Sequence, residues 1–317
     1  MSSKPQSVGG QAVIEGVMMR APKAIATAVR TLDKKITVKV DPYLALSKRY
    51  KILNIPILRG AVFFFEMLVI GIRTLSYSAD VAMKEAQEEE GKDKDKSPTK
   101  WGAFLDDLLL GGSLVLALSL GVGLFFFLPL FVTQLLHVQR GALGFNLIAG
   151  GIRIVIFLTY LWAISRWKEI RRIFEYHGAE HKSIFAYEAG DELTVERTRK
   201  YSTLHPRCGT SFILIVAVSA ILLFSVTDAL FVTIFGHVQN LWERFLTHFT
   251  FLPLVAGTSY ELLKFSGKKS DHKIIRCLIA PGLWLQKITT KEPEDEQLEV
   301  ALTALKHALG EEGGERI

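Results

Sequence analysis

"LLLGGSLVLALSLGVGLFFFLPLFV", residues 108–132, contains no charged side chain. A helix rises about 1.5 Å per residue, so roughly 20 apolar residues cross the hydrocarbon core of a bilayer. This run is long enough to span, and that sets the class of fold. Residues 143–164 form a second run with a single charge, Arg153. A third begins just after Cys208 and reaches the far surface near Asp228, and a fourth extends from about Phe245 to Tyr260. The 317 residues are 49% hydrophobic with a positive mean hydropathy, too apolar for an ordinary soluble domain. The charged interruptions exclude a bundle made of spans alone.

Charge then orients the spans. The links 137–142 and 236–244 each carry one basic residue, Arg140 and Arg244, whereas 166–210 carries nine and 264–287 carries six. The positive-inside bias places 166–210, both termini and the segment before Leu108 in the cytoplasm. The stretch Ile52–Ile72 is apolar but holds Arg59 and Glu66, two turns apart on one helix face. Nine basic residues in 20–51 would be carried outside if it crossed, so it reads as re-entrant or interfacial. A fifth span with the N-terminus outside is the competing reading. No secretory signal is visible, and the two cysteines, Cys208 and Cys277, fit a reducing compartment.

The expected fold is therefore mainly α, a polytopic membrane protein with four transmembrane helices arranged as two hairpins. Residues 1–51 form an N-terminal β-rich module, because "IATAVRTLDKKITVKV" alternates apolar and polar residues on both sides of a turn. Residues 52–83 are the re-entrant or interfacial helix, and 84–102 a charged flexible linker. Hairpins occupy 103–165 and 211–265, with a cytoplasmic lobe at 166–210. The C-terminal segment 266–317 ends in an amphipathic helix with Leu298, Ala301, Leu302, Leu305 and Leu309 on one face and acids at its start. That helix should pack back on the cytoplasmic part. "FVTQLLHVQ" (131–139) and "FVTIFGHVQ" (231–239) agree at six of nine positions, which suggests a parallel repeat of the two hairpins. Chance similarity between apolar segments is the rival.

Chemistry concentrates in "YHGAEHKSIF", residues 176–185. His177 and His181 stand one helical turn apart, so two imidazoles share a face, with Glu180 beside them. H-x-x-E-H is the order of an inverted zinc-protease motif, in which the histidines bind metal and the carboxylate handles a proton. "HPRCGTSF", residues 205–212, adds His205 and Cys208, both good zinc-ligand types, in a turn before the third run. The expected ligand set is His177, His181 and Cys208, with His205 as a fourth ligand or behind them. Four protein ligands would make the site structural; three plus water would make it catalytic. Glu188, Glu192 and Glu196 are alternative carboxylate ligands. Glu15 and Arg20 in "GGQAVIEGVMMRAP" (9–22) are further candidates for reaching the metal or its substrate. Arg153, in mid-span, needs a partner such as Asp228, Glu261 or a lipid headgroup, and marks a functional position.

The stretches "GGQAVIEGVMMRAP", "YHGAEHKSIFAYE", "HPRCGTSF" and "PGLWLQKITTKEPEDEQLEVAL" resemble the YqhQ-like family of uncharacterised bacterial membrane proteins. The resemblance covers nearly the whole chain. It implies a multi-pass protein of the bacterial cytoplasmic membrane, of a kind described as predicted metal-dependent enzymes. Two functions follow as expectations. One is a membrane-anchored hydrolase with zinc, or another divalent ion, at the cytoplasmic face, acting on a protein or small-molecule substrate. The other is a scaffold or assembly factor whose His/Cys cluster is a staple and whose basic surface meets anionic lipid or a partner. A transporter built on the repeat ranks last.

Overall fold

A computed structural model describes residues 6–89, 112–113, 115–138, 143–206, 208–268 and 273–310. The protein is mainly helical, with a small N-terminal sheet of four antiparallel strands. Two compact units divide the chain: residues 1–86, 161–219 and 252–317 form the first, and 87–160 with 220–251 the second.

In the first unit, β1 (Gly9–Val13), β2 (Gly16–Arg20), β3 (Ala24–Arg30) and β4 (Ile36–Pro42) pair in sequence order as a meander. The hairpin expected around "LDKK" is the β3–β4 connection, where Arg30 pairs with Ile36. Side chains alternate across a strand, so the register sorts them into two faces. Ala12, Val17, Ala28 and Val38 lie in one cross-strand row, and Gln11, Met18, Thr27 and Lys39 in the next. The sheet is covered on both sides, which explains why β2 is buried almost throughout. The first row joins a core with Tyr176, Ala179, Leu298, Ala301 and Leu305. These come from α5 (Lys168–Ala189) and α10 (Asp295–Leu309).

The second row faces α2 (Leu58–Glu89), which follows a short helix α1 (Leu46–Arg49) and a 3-10 turn at Lys51–Asn54. The Gln11 side chain lies against Gly71, the Ile14 N–H donates to Ser78 Oγ at 3.2 Å, and Lys39 Nζ sits 5.3 Å from the centre of the Tyr77 ring. α2 is one continuous helix of 32 residues. It takes in 84–89, where the charged linker was expected to begin; Lys, Glu, Ala and Gln, the residue types found there, are all strong helix formers. The rest of that linker, residues 90–102, lies outside the described residues, as do the start of the first apolar run and the loop 139–142 with Arg140.

α10 packs back on the unit as its apolar face requires. Glu294 and Gln297 form a capping box at its start, and Gly310 ends it with φ of 80°. Gln297 is buried, and its Nε2 also donates to Glu175 Oε2 at 3.1 Å.

Among the described residues, three helices are long and apolar enough to cross a membrane: Val115–Leu135 (α3), Gly144–Ile164 within α4 (Leu143–Ile164), and Phe212–Phe235 within α7 (Gly209–Phe235). The fourth expected span lies in α8 (Leu241–Lys268), which is long enough but less apolar. Thr247, His248, Thr250, Thr258, Ser259 and Glu261 are spread along it. The remaining helices are α6 (Val195–Arg199) and α9 (Lys273–Thr289).

Arg59 and Glu66 do not pair with each other. Arg59 forks onto Glu261 of α8, with Nε at 2.6 Å from Oε1, and Glu66 accepts the Leu46 N–H at 3.0 Å. Taking Glu261 in this way removes it as a partner for Arg153. Asp228 is also engaged elsewhere, by Arg244 and His248. Arg153 Nε instead donates to the Phe125 carbonyl at 2.8 Å. Phe125 sits in a π-helical turn, Gly123–Phe127, and such a widened turn releases a carbonyl from the regular helical ladder. The expected acid partner is thus replaced by a backbone oxygen made available by the bulge.

Candidate metal centre

His177 and His181 stand on consecutive turns of α5, with ring centres 4.5 Å apart. Cys208 lies at the start of α7 and approaches from the other side: His177 Nε2 is 3.2 Å from its Sγ. One ligand atom from each of His177, His181 and Cys208 falls within 4.8 Å of the others. Zinc bonds of about 2.3 Å to sulfur and 2.0–2.1 Å to nitrogen put neighbouring ligand atoms roughly 3.5 Å apart, so only a small adjustment is needed.

The outer hydrogen bonds set the rings for that task. His177 Nδ1 donates to the Thr289 carbonyl at 2.8 Å, and His181 Nδ1 donates to the Thr203 carbonyl at 2.5 Å. A carbonyl only accepts, so Nδ1 carries the proton in both rings. In the neutral ring Nε2 then holds a lone pair. Burial pushes the His181 pKa down and keeps that ring neutral, against the opposing pull of Cys208. His181 Nε2 is itself buried without a hydrogen-bond partner among the described residues. A buried acceptor left bare is rare, and a cation between the two rings and the sulfur would satisfy it. Cys208 Sγ accepts the Thr210 N–H at 3.3 Å just before α7. The residues present therefore fit a soft or borderline divalent ion such as zinc.

Close backbone packing holds the two halves together. A Cβ on Gly178 would lie 2.0 Å from the Lys291 carbonyl oxygen, so only glycine lets α5 approach the 289–291 segment that carries the Thr289 acceptor. The Lys291 N–H donates back to Phe174 O at 2.9 Å. Gln286 of α9 grips the His205 backbone in both directions, with two bonds of 2.8 Å, and so fixes the turn leading to Cys208.

His205 is not in the three-residue cluster. Its ring centre is 5.7 Å from that of His181, and its Nε2 is 3.5 Å from Glu188 Oε2. Burial pushes the His205 pKa down to about 4. Glu188 thus touches His205, while Glu192 and Glu196 are exposed. Glu180 is 6% exposed and lies against the backbone of Gly10, where a Cβ would come within 2.8 Å of its Cγ. Burial raises its pKa, opposed by the nearby His177 and His205 rings and by the Gly10 N–H.

Glu15 and Arg20 lie elsewhere. Glu15 occupies the β1–β2 turn with φ of 51°, accepts from Arg172 at 2.5 Å and from the Tyr176 hydroxyl at 3.3 Å. It braces α5 next to His177 and binds neither ring. Arg20 donates to the Tyr43 hydroxyl at 3.3 Å and stacks over Phe63. The sequence reading missed the Thr203 and Thr289 carbonyls and Gln286, because backbone acceptors carry no residue signature. It also missed the group Asp228, Arg244 and His248, although Arg244 and His248 are four apart and share a helix face.

Residues 55–311 match the family described as "Protein of unknown function (DUF1385)". The chain is similar to the Uncharacterized protein YqhQ of Bacillus subtilis (strain 168), at 33% identity over 315 residues, covering 96% of this chain and 93% of that one. No solved structure matches. By the family match and by this bacterial relative, the chain belongs to the DUF1385 family.

Proposed function

We propose that this protein is a metal-dependent hydrolase anchored in the bacterial cytoplasmic membrane, with its site on the cytoplasmic face. His177, His181 and Cys208 hold the ion, taken to be zinc, and the fourth position stays open to water or substrate. The observation that carries this reading is the pair of Nδ1-to-carbonyl bonds, which aim two Nε2 lone pairs at the Cys208 sulfur. When bound, the ion would lower the pKa of a water and polarise a substrate oxygen. The protein's own groups do the rest. The threonine carbonyls hold the rings in one tautomer, Glu180 takes and returns a proton as general base, and Glu15 with Arg172 fixes the turn of α5 before His177. His205 supports the site from behind without binding the ion.

The charge distribution supports a topology with α3, α4, α7 and α8 as four spans in two hairpins, both termini and the sheet being cytoplasmic. α2, with exposed Phe65, Leu68, Ile72 and Leu75, then lies in the interface. The repeat reading gains from the helix ends: α3 stops at Leu135 and α7 at Phe235, each in the same place within its nine-residue segment.

Metal analysis of the purified protein tests the site. About one ion per chain is expected, falling steeply in both His177→Ala and Cys208→Ser; unchanged content in both ends the proposal. A second reading, a non-catalytic scaffold that meets lipid or a partner protein, draws on the cluster's joining of α5, the start of α7 and the end of α9. Glu180→Gln separates the two. An enzyme loses its in vivo function with the metal retained, whereas a staple keeps both.

A further inference from the structure

The second unit holds a buried polar group that the metal site does not use. Asp228 of α7 meets Arg244 and His248 of α8, with Oδ2 at 3.2 Å from Arg244 Nη2 and Oδ1 at 2.9 Å from His248 Nε2. All three side chains are less than a tenth exposed. The His248 ring lies flat on Phe224 with centres 4.0 Å apart, and Arg244 sits 5.1 Å over the Phe145 ring. Charged groups in helices of this kind are costly, so an arrangement that holds one so firmly invites a function.

Arg244 lines a cavity of about 390 Å³, within the size of small-ligand sites. Gln239 and Asn240 share its polar end, and Phe127, Leu128 and Phe131 its apolar side. Gln239 is buried, and its Oε1 has no hydrogen-bond partner among the described residues, although its Nε2 donates to Thr247 at 3.2 Å. Arg153 lies within electrostatic reach of both Arg244 and His248. Two guanidiniums within electrostatic reach of each other, only one of them paired with the Asp228 carboxylate, leave this region positive in a setting of low dielectric, and an anion is favoured at Arg244.

The geometry points to a binding site for an anionic phospholipid. Its phosphate meets Arg244, a headgroup hydroxyl donates to Gln239 Oε1, and the start of an acyl chain lies along Phe127, Leu128 and Phe131. Asp228 and His248 are positioning residues that hold the guanidinium at the cavity wall. This goes beyond the metal site and does not depend on it.

Native mass spectrometry of the full-length protein, purified in detergent and stripped of lipid, tests the site with phosphatidylglycerol and phosphatidylcholine at equal concentration. One phosphatidylglycerol should bind with at least tenfold preference. Arg244→Gln should lower that affinity tenfold or more, and Arg244→Lys should recover part of it. Gly123 lines the same cavity, and a Cβ there would meet nothing within 4 Å. Gly123→Phe therefore fills the cavity and leaves Asp228, Arg244 and His248 in place. It should also lose at least tenfold in lipid affinity, with the metal content of the protein unchanged. Equal binding of the two lipids, wild-type affinity in Gly123→Phe, or binding of inorganic phosphate as tightly as lipid would each overturn the inference.

Discussion

Gly178→Ala makes no change to any proposed ligand, yet it should strip the metal site. The added Cβ would stand 2.0 Å from the Lys291 carbonyl oxygen. Close carbon–oxygen contacts in proteins lie at about 3.3 Å or more, so α5 and the 289–291 segment must part by roughly 1.3 Å. Two bonds span that seam: Lys291 N–H to Phe174 O at 2.9 Å, and His177 Nδ1 to Thr289 O at 2.8 Å. Overpacking costs about 1–3 kcal/mol and each weakened hydrogen bond about 1 kcal/mol. Alanine returns about 1 kcal/mol of helix propensity. The net loss is about 2–4 kcal/mol of stability. Freeing the His177 ring from its acceptor should weaken metal binding by about 10–100-fold, the usual effect of losing such an outer partner. Chelator competition measures the affinity and thermal melts the stability. Gly209→Ala, beside Cys208 but with open space around it, is the control and should change neither. A Gly178→Ala protein with wild-type affinity and melting temperature would refute the packing argument and the claim that the Thr289 carbonyl orients His177.

Chelation of wild-type protein should lower the melting temperature in proportion to the logarithm of chelator strength, because the ion joins two separate segments, the 177–181 turn of α5 and Cys208. Once the metal is removed, stability should depend on the His205 ring, whose pKa is about 4 in the folded protein against 6.5 for an ordinary histidine. The unfolded chain binds this proton first, so stability holds above pH 6.5 and falls as the pH drops toward 4, by at most about 3 kcal/mol. His205→Gln should flatten that slope in melts across the range. Breaking the Arg59–Glu261 pair from one side leaves a half-buried charge alone. Arg59→Ala and Glu261→Ala should therefore each destabilise by about 1–3 kcal/mol, while the double variant loses less than their sum in a double-mutant cycle. Gln297→Ala removes the capping-box partner of Glu294 and the bond to Glu175, and should cost about 1–3 kcal/mol in chemical unfolding.

Several features follow from local pattern alone. Uncharged length marks the candidate spans, period-two alternation marks the β3–β4 hairpin, and the apolar face of 295–309 foretells that the helix packs back on the rest of the chain, though not that the sheet receives it. The four-residue spacing of His177 and His181 already commits both rings to one face. These are short-range consequences of helix and strand geometry, and residues a few positions apart are enough to express them. Distant pairings are of another kind. Nothing near Cys208 says that its sulfur meets rings on α5, and nothing near Thr289 says that its carbonyl holds His177. Glycine at 178 became meaningful only once a second backbone lay against it. Arg153 illustrates the limit most plainly, since Asp228 and Glu261 were both chemically suitable, yet each was already held by another arginine. Partner choice among equivalent charges depends on which helices touch and at what height. That is decided by the packing of the whole chain, and no local stretch contains it.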